Sequence, residues 1–131
     1  MATRPRPLSP HLTIYRWPIT MILSIMHRAT GVALSIGMLV FIAWIATVAF
    51  NESGYNFLVT ILKSWLGQLV LFLWSFAFFL HFCNGIRHML WDIGLGLEMN
   101  QVRISGWFII FASVLLTLVS WSVALRLFGD L

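Results

Sequence analysis

The stretch that decides the fold is residues 29–50, ATGVALSIGMLVFIAWIATVAF, which contains no charged side chain. As a helix it would rise about 33 Å, enough to cross about 30 Å of bilayer hydrocarbon. Two similar apolar runs occupy residues 64–85 and 104–125. The sequence therefore predicts an all-α integral membrane protein with three transmembrane helices, over about 22–50, 64–89 and 104–127, in one anchor domain spanning 1–131.

The composition excludes a water-soluble globular protein. The chain is 60% hydrophobic and 9% charged, whereas a soluble domain carries about 25% charged residues. An isoelectric point of about 10.3 is compatible with binding to nucleic acid, but the sequence has no cluster of basic residues that could contact a phosphate backbone. We therefore expect a lipid bilayer and no nucleic acid as partner. Cys83 is the only cysteine, which excludes an internal disulfide and a cysteine-ligated cluster within this chain.

The basic residues predict the orientation in the membrane. Two of the eight, Lys63 and Arg126, fall on one side, and six fall on the other: Arg4, Arg6, Arg16, Arg28, Arg87 and Arg103. The N-terminal segment 1–18 is therefore predicted to be cytoplasmic, or matrix-facing in a mitochondrion. It has neither the apolar core of a signal peptide nor the features of a transit peptide. We expect a bacterial inner membrane, with the mitochondrial inner membrane as the alternative.

The connections between the predicted spans are short. The polar stretch 51–56, NESGYN, predicts a turn, and the second connection runs from 91 to 103. In the first span Ala29, Ala33 and Gly37 recur every fourth residue. Such a face lets another helix approach closely, either within the chain or from a partner.

His81 is the deepest ionisable residue, about 9 Å before Arg87 along the second span. A neutral imidazole there suits an axial ligand of haem iron, and Gly85, one turn later, would leave room for a flat macrocycle. The alternative is a hydrogen bond to a neighbouring helix. His88, at the helix end, is predicted to contact water, a propionate or a partner subunit. No second histidine is expected at the depth of His81, so the opposite ligand is predicted to come from another polypeptide.

A second set of polar residues precedes the first apolar run. Ser24, His27 and Arg28 share one helical face, where a hydroxyl and a guanidinium can donate hydrogen bonds to a quinone carbonyl or a haem propionate. The alternative is a positive anchor, with Arg28 reaching to lipid phosphates. Asp92 is predicted either to pair with Arg28 or Arg87 or to relay protons to a quinone.

Three stretches carry a resemblance to a known family: RPLSPHLTIY at residues 6–15, SIMHRATG at 24–31 and HFCNGIRHMLWDIG at 81–94. They closely resemble the cytochrome b subunits of succinate dehydrogenase, and the layout of three spans matches over essentially the whole chain. The resemblance implies half of a heterodimeric helix bundle. It implies that His81 is an axial ligand of haem b, shared with a second membrane-anchor subunit. It also implies ubiquinone binding at Ser24, Arg28 and Asp92, and haem contacts from His27, Arg28 and His88.

The same resemblance implies the partners. A flavoprotein subunit with FAD would oxidise succinate in the tricarboxylic acid cycle, and an iron–sulfur subunit would pass the electrons to quinone. This chain would not itself oxidise succinate. The alternatives are a fumarate reductase anchor working in reverse, and a structural anchor that binds neither haem nor quinone. A small transporter subunit would need a polar face along a whole span, which the sequence lacks.

Overall fold

The computed structural model describes residues 14–129, which form four helices. They are α1 (Ile19–Phe50), α2 (Glu52–Lys63), α3 (Trp65–Asp92) and α4 (Met99–Phe128). Within these residues α1, α3 and α4 are long and apolar enough to cross a membrane. The prediction of an all-α chain with three membrane-spanning helices is thus confirmed. Most of the N-terminal segment 1–18 lies outside the described residues.

The helices extend beyond the predicted spans at their polar ends. α1 begins at Ile19, directly after Pro18, and α4 begins at Met99 and includes the polar residues up to Arg103. Hydropathy marks where a helix enters hydrocarbon, whereas the hydrogen-bonded helix continues into the interface. The early start of α1 matters for the site, because it places residues 24–31 well inside the helix.

The connection after α1 is a helix and not the predicted turn. The side-chain oxygen of Asn51 accepts a hydrogen bond from the backbone N–H of Gly54 at 2.9 Å, which caps the start of α2. With 12 residues, α2 rises about 18 Å and is too short to cross a bilayer. The helical conformation is then interrupted at Ser64. The hydroxyl oxygen of Ser64 accepts a hydrogen bond from the backbone N–H of Gly67 at 3.1 Å, which caps the start of α3.

α1 and α3 each pack against all of the other described helices. The described core contains one fully buried apolar side chain from each long helix: Leu23, Leu80 and Ile109. Two buried hydroxyls of α4, on Ser113 and Thr117, donate to the carbonyls one turn earlier in their own helix at 2.7 Å. Most other large apolar side chains are exposed, as lipid or a partner helix requires.

The loop from α3 to α4 depends on two glycines. Gly94 has φ of +80° and Gly96 has φ of +76°, a left-handed backbone conformation that other residues rarely adopt. The turn brings the first residues of α4 back against the end of α3, where the guanidinium of Arg87 donates to the carbonyl of Val102 at 2.6 Å.

Candidate functional site

His81 points from α3 toward α1 and is held there by its Nδ1 atom. Nδ1 lies 3.1 Å from the backbone oxygen of His27 and 3.1 Å from the hydroxyl oxygen of Thr30. Because a carbonyl oxygen can only accept, the first of these bonds requires the proton on Nδ1. The lone pair is therefore on Nε2, which is the state of a histidine that binds a metal through Nε2 and fixes its ring through the other nitrogen.

Two glycines make space around this imidazole. A Cβ atom at Gly31 would lie 3.1 Å from Cε1 of His81, so the ring packs directly against the backbone of α1. At Gly85, one turn along α3, an added Cβ would meet nothing within 4 Å. The open space at Gly85 is what the predicted macrocycle requires.

His27 lies beside His81, which corrects the expectation that no second histidine shares its depth. The two rings stack with centroids 3.9 Å apart and planes 9° apart. The expectation was wrong because it took the start of the apolar run as the edge of the membrane. α1 begins at Ile19, so His27 lies about 12 Å inside the helix.

The stacked pair does not make a bis-histidine iron site. Bonds of about 2 Å to opposite sides of one iron would place the two ring centroids about 6 Å apart, and the observed separation is 3.9 Å. Nδ1 of His27 is buried and has no hydrogen-bond partner among the described residues. It is a polar atom that a bound group can satisfy.

His88 continues this arrangement toward the end of α3. Its ring lies 5.2 Å from that of His27 and meets the indole of Trp91 edge-on at 5.1 Å. The three imidazoles thus form a row, in the order His81, His27, His88. The sequence predicted His81 and His88 on one helix, but it did not place His27 between them.

The predicted quinone residues are not joined to one another. Ser24 is half-buried, whereas Arg28 and Asp92 are exposed. Within residues 14–129 these three side chains make no hydrogen bond or ion pair. The ion pair considered between Asp92 and Arg28 or Arg87 is therefore absent within these residues.

Arg87 has a structural role that the sequence did not predict. The residue is 4% exposed, and its guanidinium carbon lies 4.1 Å from the centroid of the Trp91 ring. With its bond to Val102, this contact ties the end of α3 to the start of α4. Arg87 thus supports the helix end that carries His88 and Asp92.

Three residues near the site were missed as contributors. Thr30 and Gly31 contact His81 across the helix interface. Asn84 is 1% exposed, and its side-chain carbonyl oxygen has no hydrogen-bond partner within residues 14–129. A hydroxyl at Thr30, three residues after His27 on the same face, was the available signal. Only the register between α1 and α3 shows which side chain it meets.

Comparison with known proteins identifies the family. The family model for the succinate dehydrogenase/fumarate reductase transmembrane subunit matches residues 2–120. The chain is 43% identical over 116 residues to the succinate dehydrogenase cytochrome b556 subunit of Rickettsia bellii, covering 88% of this chain and 90% of that one. It is 36% identical over 115 residues to the cytochrome b556 subunit of Paracoccus denitrificans, covering 88% of each.

A mitochondrial relative is similar as well. The cytochrome b560 subunit of mouse succinate dehydrogenase is 40% identical over 114 residues, which cover 84% of this chain and 66% of that one. The three helices long and apolar enough to span a membrane agree with a family described as a transmembrane subunit. The chain belongs to the succinate dehydrogenase/fumarate reductase transmembrane subunit family, as a multi-pass membrane subunit of that enzyme complex.

Proposed function

We propose that this chain is the haem b- and ubiquinone-binding membrane anchor of a succinate:quinone oxidoreductase, through which electrons pass from the iron–sulfur subunit to quinone. The observation that carries the proposal is the position of the proton on the imidazole ring of His81. Its Nδ1 proton is committed to the carbonyl of His27, which leaves the Nε2 lone pair for iron. The cytochrome names of the relatives imply haem b.

The residues around His81 fit haem. His81 would hold the iron through Nε2, and the space beside Gly85 would admit the macrocycle. His27, Arg28 and His88 would face the propionates, and the buried Nδ1 of His27 has no partner in the part of the chain that the structure describes. Bound haem would supply a one-electron store beside the quinone. Since stacked rings cannot be opposite ligands of one iron, the second axial ligand would come from the second membrane-anchor subunit.

Ubiquinone would bind at the end of the bundle where α1 begins and α3 ends. The hydroxyl of Ser24 would donate to one quinone carbonyl. The charge of exposed Arg28 would stabilise negative charge as it develops on the quinone oxygens. Reduction also consumes two protons, and Asp92, exposed at the last residue of α3, would pass protons from water to the site.

The remaining cofactors would belong to the partners. FAD would reside in the flavoprotein subunit and the iron–sulfur clusters in the iron–sulfur subunit. With six of eight basic residues toward one side, the N-terminus and the α3–α4 loop would face the cytoplasm of a bacterium, or the matrix in the mitochondrial alternative. The soluble subunits would dock on that side, next to Ser24 and Asp92. The family includes fumarate reductases, whose anchor would carry electrons in the opposite direction.

The test is the reduced-minus-oxidised optical spectrum of the purified complex, for the wild-type chain and for His81→Tyr. Loss or shift of a low-spin b-type signal in the variant would support the proposal. Phe82→Tyr is the matched control, because it adds the same hydroxyl one residue along on an exposed face. An unchanged signal in His81→Tyr would move the ligand elsewhere. A wild-type complex with no signal would leave a haem-free anchor.

A further inference from the structure

We infer that Thr30 is a positioning residue for the iron ligand, acting through the imidazole of His81. The inference rests on the haem role proposed for His81. The two residues lie 51 positions apart in the chain, yet Oγ1 of Thr30 is 3.1 Å from Nδ1 of His81. Thr30 is half-buried within α1, a helix long and apolar enough to span a membrane.

The direction of the hydrogen bonds follows from the neighbours of the hydroxyl. Oγ1 of Thr30 lies 2.8 Å from the carbonyl oxygen of Met26 and 3.0 Å from that of His27. Both oxygens can only accept, so the single hydroxyl proton is donated to them. Toward His81 the hydroxyl oxygen therefore accepts, and the Nδ1–H group is shared between Thr30 and the carbonyl of His27.

Residues 27–31 of α1 thus fix the ring from several directions. His27 contributes its carbonyl oxygen and its own ring, stacked at 3.9 Å. Thr30 contributes the second acceptor, and Gly31 lets Cε1 of His81 approach the backbone. Contacts with α1 therefore set the rotation of the imidazole ring about its Cβ–Cγ bond, although His81 belongs to α3. We call these three residues, His27, Thr30 and Gly31, the imidazole seat.

An acceptor on Nδ1–H makes the other nitrogen a stronger electron donor to the metal. Stronger donation stabilises ferric over ferrous iron and lowers the midpoint potential of the haem. Removing the Thr30 acceptor should therefore raise that potential. It should also change the electron paramagnetic resonance anisotropy of the ferric haem, because that anisotropy depends on the orientation of the ring.

The experiment compares Thr30→Val with Thr30→Ser in the purified native complex, by potentiometric titration of the haem and by electron paramagnetic resonance. Valine keeps the shape of threonine without the hydroxyl, whereas serine keeps the hydroxyl. We expect a raised midpoint potential in Thr30→Val and the wild-type value in Thr30→Ser. Ser35→Ala is the matched control, since Ser35 makes the same kind of bond, to the carbonyl of Gly31 at 2.9 Å, on an exposed face.

Wild-type potential and anisotropy in Thr30→Val would overturn the inference, as would an equal shift in Ser35→Ala. If Thr30→Val does not assemble, Thr30→Ala decides, because it also removes the hydroxyl but leaves a smaller side chain. A raised midpoint potential there supports the inference, and the wild-type potential rejects it. A haem signal unchanged by His81→Tyr would move the ligand elsewhere, and it would overturn the role proposed for His81 and this inference together. A His81-dependent signal unchanged by Thr30→Val overturns the inference alone.

Discussion

Single glycines decide how closely the helices of this protein approach. Gly37 faces Trp74, whose indole lies so close that an added Cβ would overlap Cε2, Cζ2 and Nε1 of the ring. The indole is flat against the backbone of α1 for this reason. Gly31 serves the imidazole of His81 in the same way, six residues nearer the start of the helix.

We therefore expect Gly37→Ala to destabilise the packing of α1 on α3. The methyl group must displace a large, rigid ring, and overpacking of this kind costs about 1–3 kcal/mol. The measurement is the thermal unfolding midpoint of the purified complex, followed by circular dichroism in detergent. Leu39→Ala is the control, because that side chain is 68% exposed. Equal midpoints for Gly37→Ala and the wild type would show that Trp74 moves aside without cost.

At this scale the sequence revealed part of the site. His81 could be predicted because a polar side chain stands out in an apolar run. The contacts of its ring could not be predicted, since they depend on the register of α1 against α3 and on where α1 begins. His27 illustrates the difference: its motif was noted, but its distance from His81 was not accessible without the helix start at Ile19.

Among the elements, α2 is the one that hydropathy did not reveal. Its two ends carry ordinary helix signals: Asn51 caps the start, Glu52 lies in the first turn, and Lys63 lies in the last turn. The sequence NESG at its start is equally typical of a turn, and α2 is too short to span a membrane. Three long apolar helices are readable from composition alone, whereas a short interfacial helix depends on capping contacts.

The corner between α2 and α3 is fixed by a buried glycine. A Cβ at Gly67 would collide with the carbonyl oxygen of Ile61 and the backbone of Leu62. Backbone atoms cannot rotate away as a side chain can. We therefore expect Gly67→Ala to widen the corner between α2 and α3 and to lower the free energy of unfolding by about 1–3 kcal/mol or more. The yield of folded complex in membranes and its thermal midpoint would report the loss.

Leu66→Ala is the control for that corner, because Leu66 is 54% exposed and adjacent in sequence. Its midpoint should remain near that of the wild type. A Gly67→Ala complex as stable as the Leu66→Ala complex would mean that α2 is free to shift and that the corner is not fixed by Gly67.

The whole molecule covers little of its own apolar surface. Within the described residues three apolar side chains form the buried core, Leu23, Leu80 and Ile109, and long stretches of all three membrane-spanning helices remain exposed. His81 is only half-buried, and the space beside Gly85 is open. If the chain has the function proposed above, it would provide one iron ligand and one side of a haem pocket.

The chain produced without its second anchor subunit should therefore hold no stable haem. A macrocycle ligated only by His81 would leave its other face to lipid, with the opposite iron position unfilled. The measurement is the reduced-minus-oxidised spectrum of membranes that contain the chain alone, with its accumulation verified by immunoblot. Co-expression of the second anchor subunit should restore the low-spin signal, and His81→Tyr should abolish that restoration. A low-spin signal from the chain alone would mean that both axial ligands come from within it, against the geometry of the stacked His27 and His81 rings.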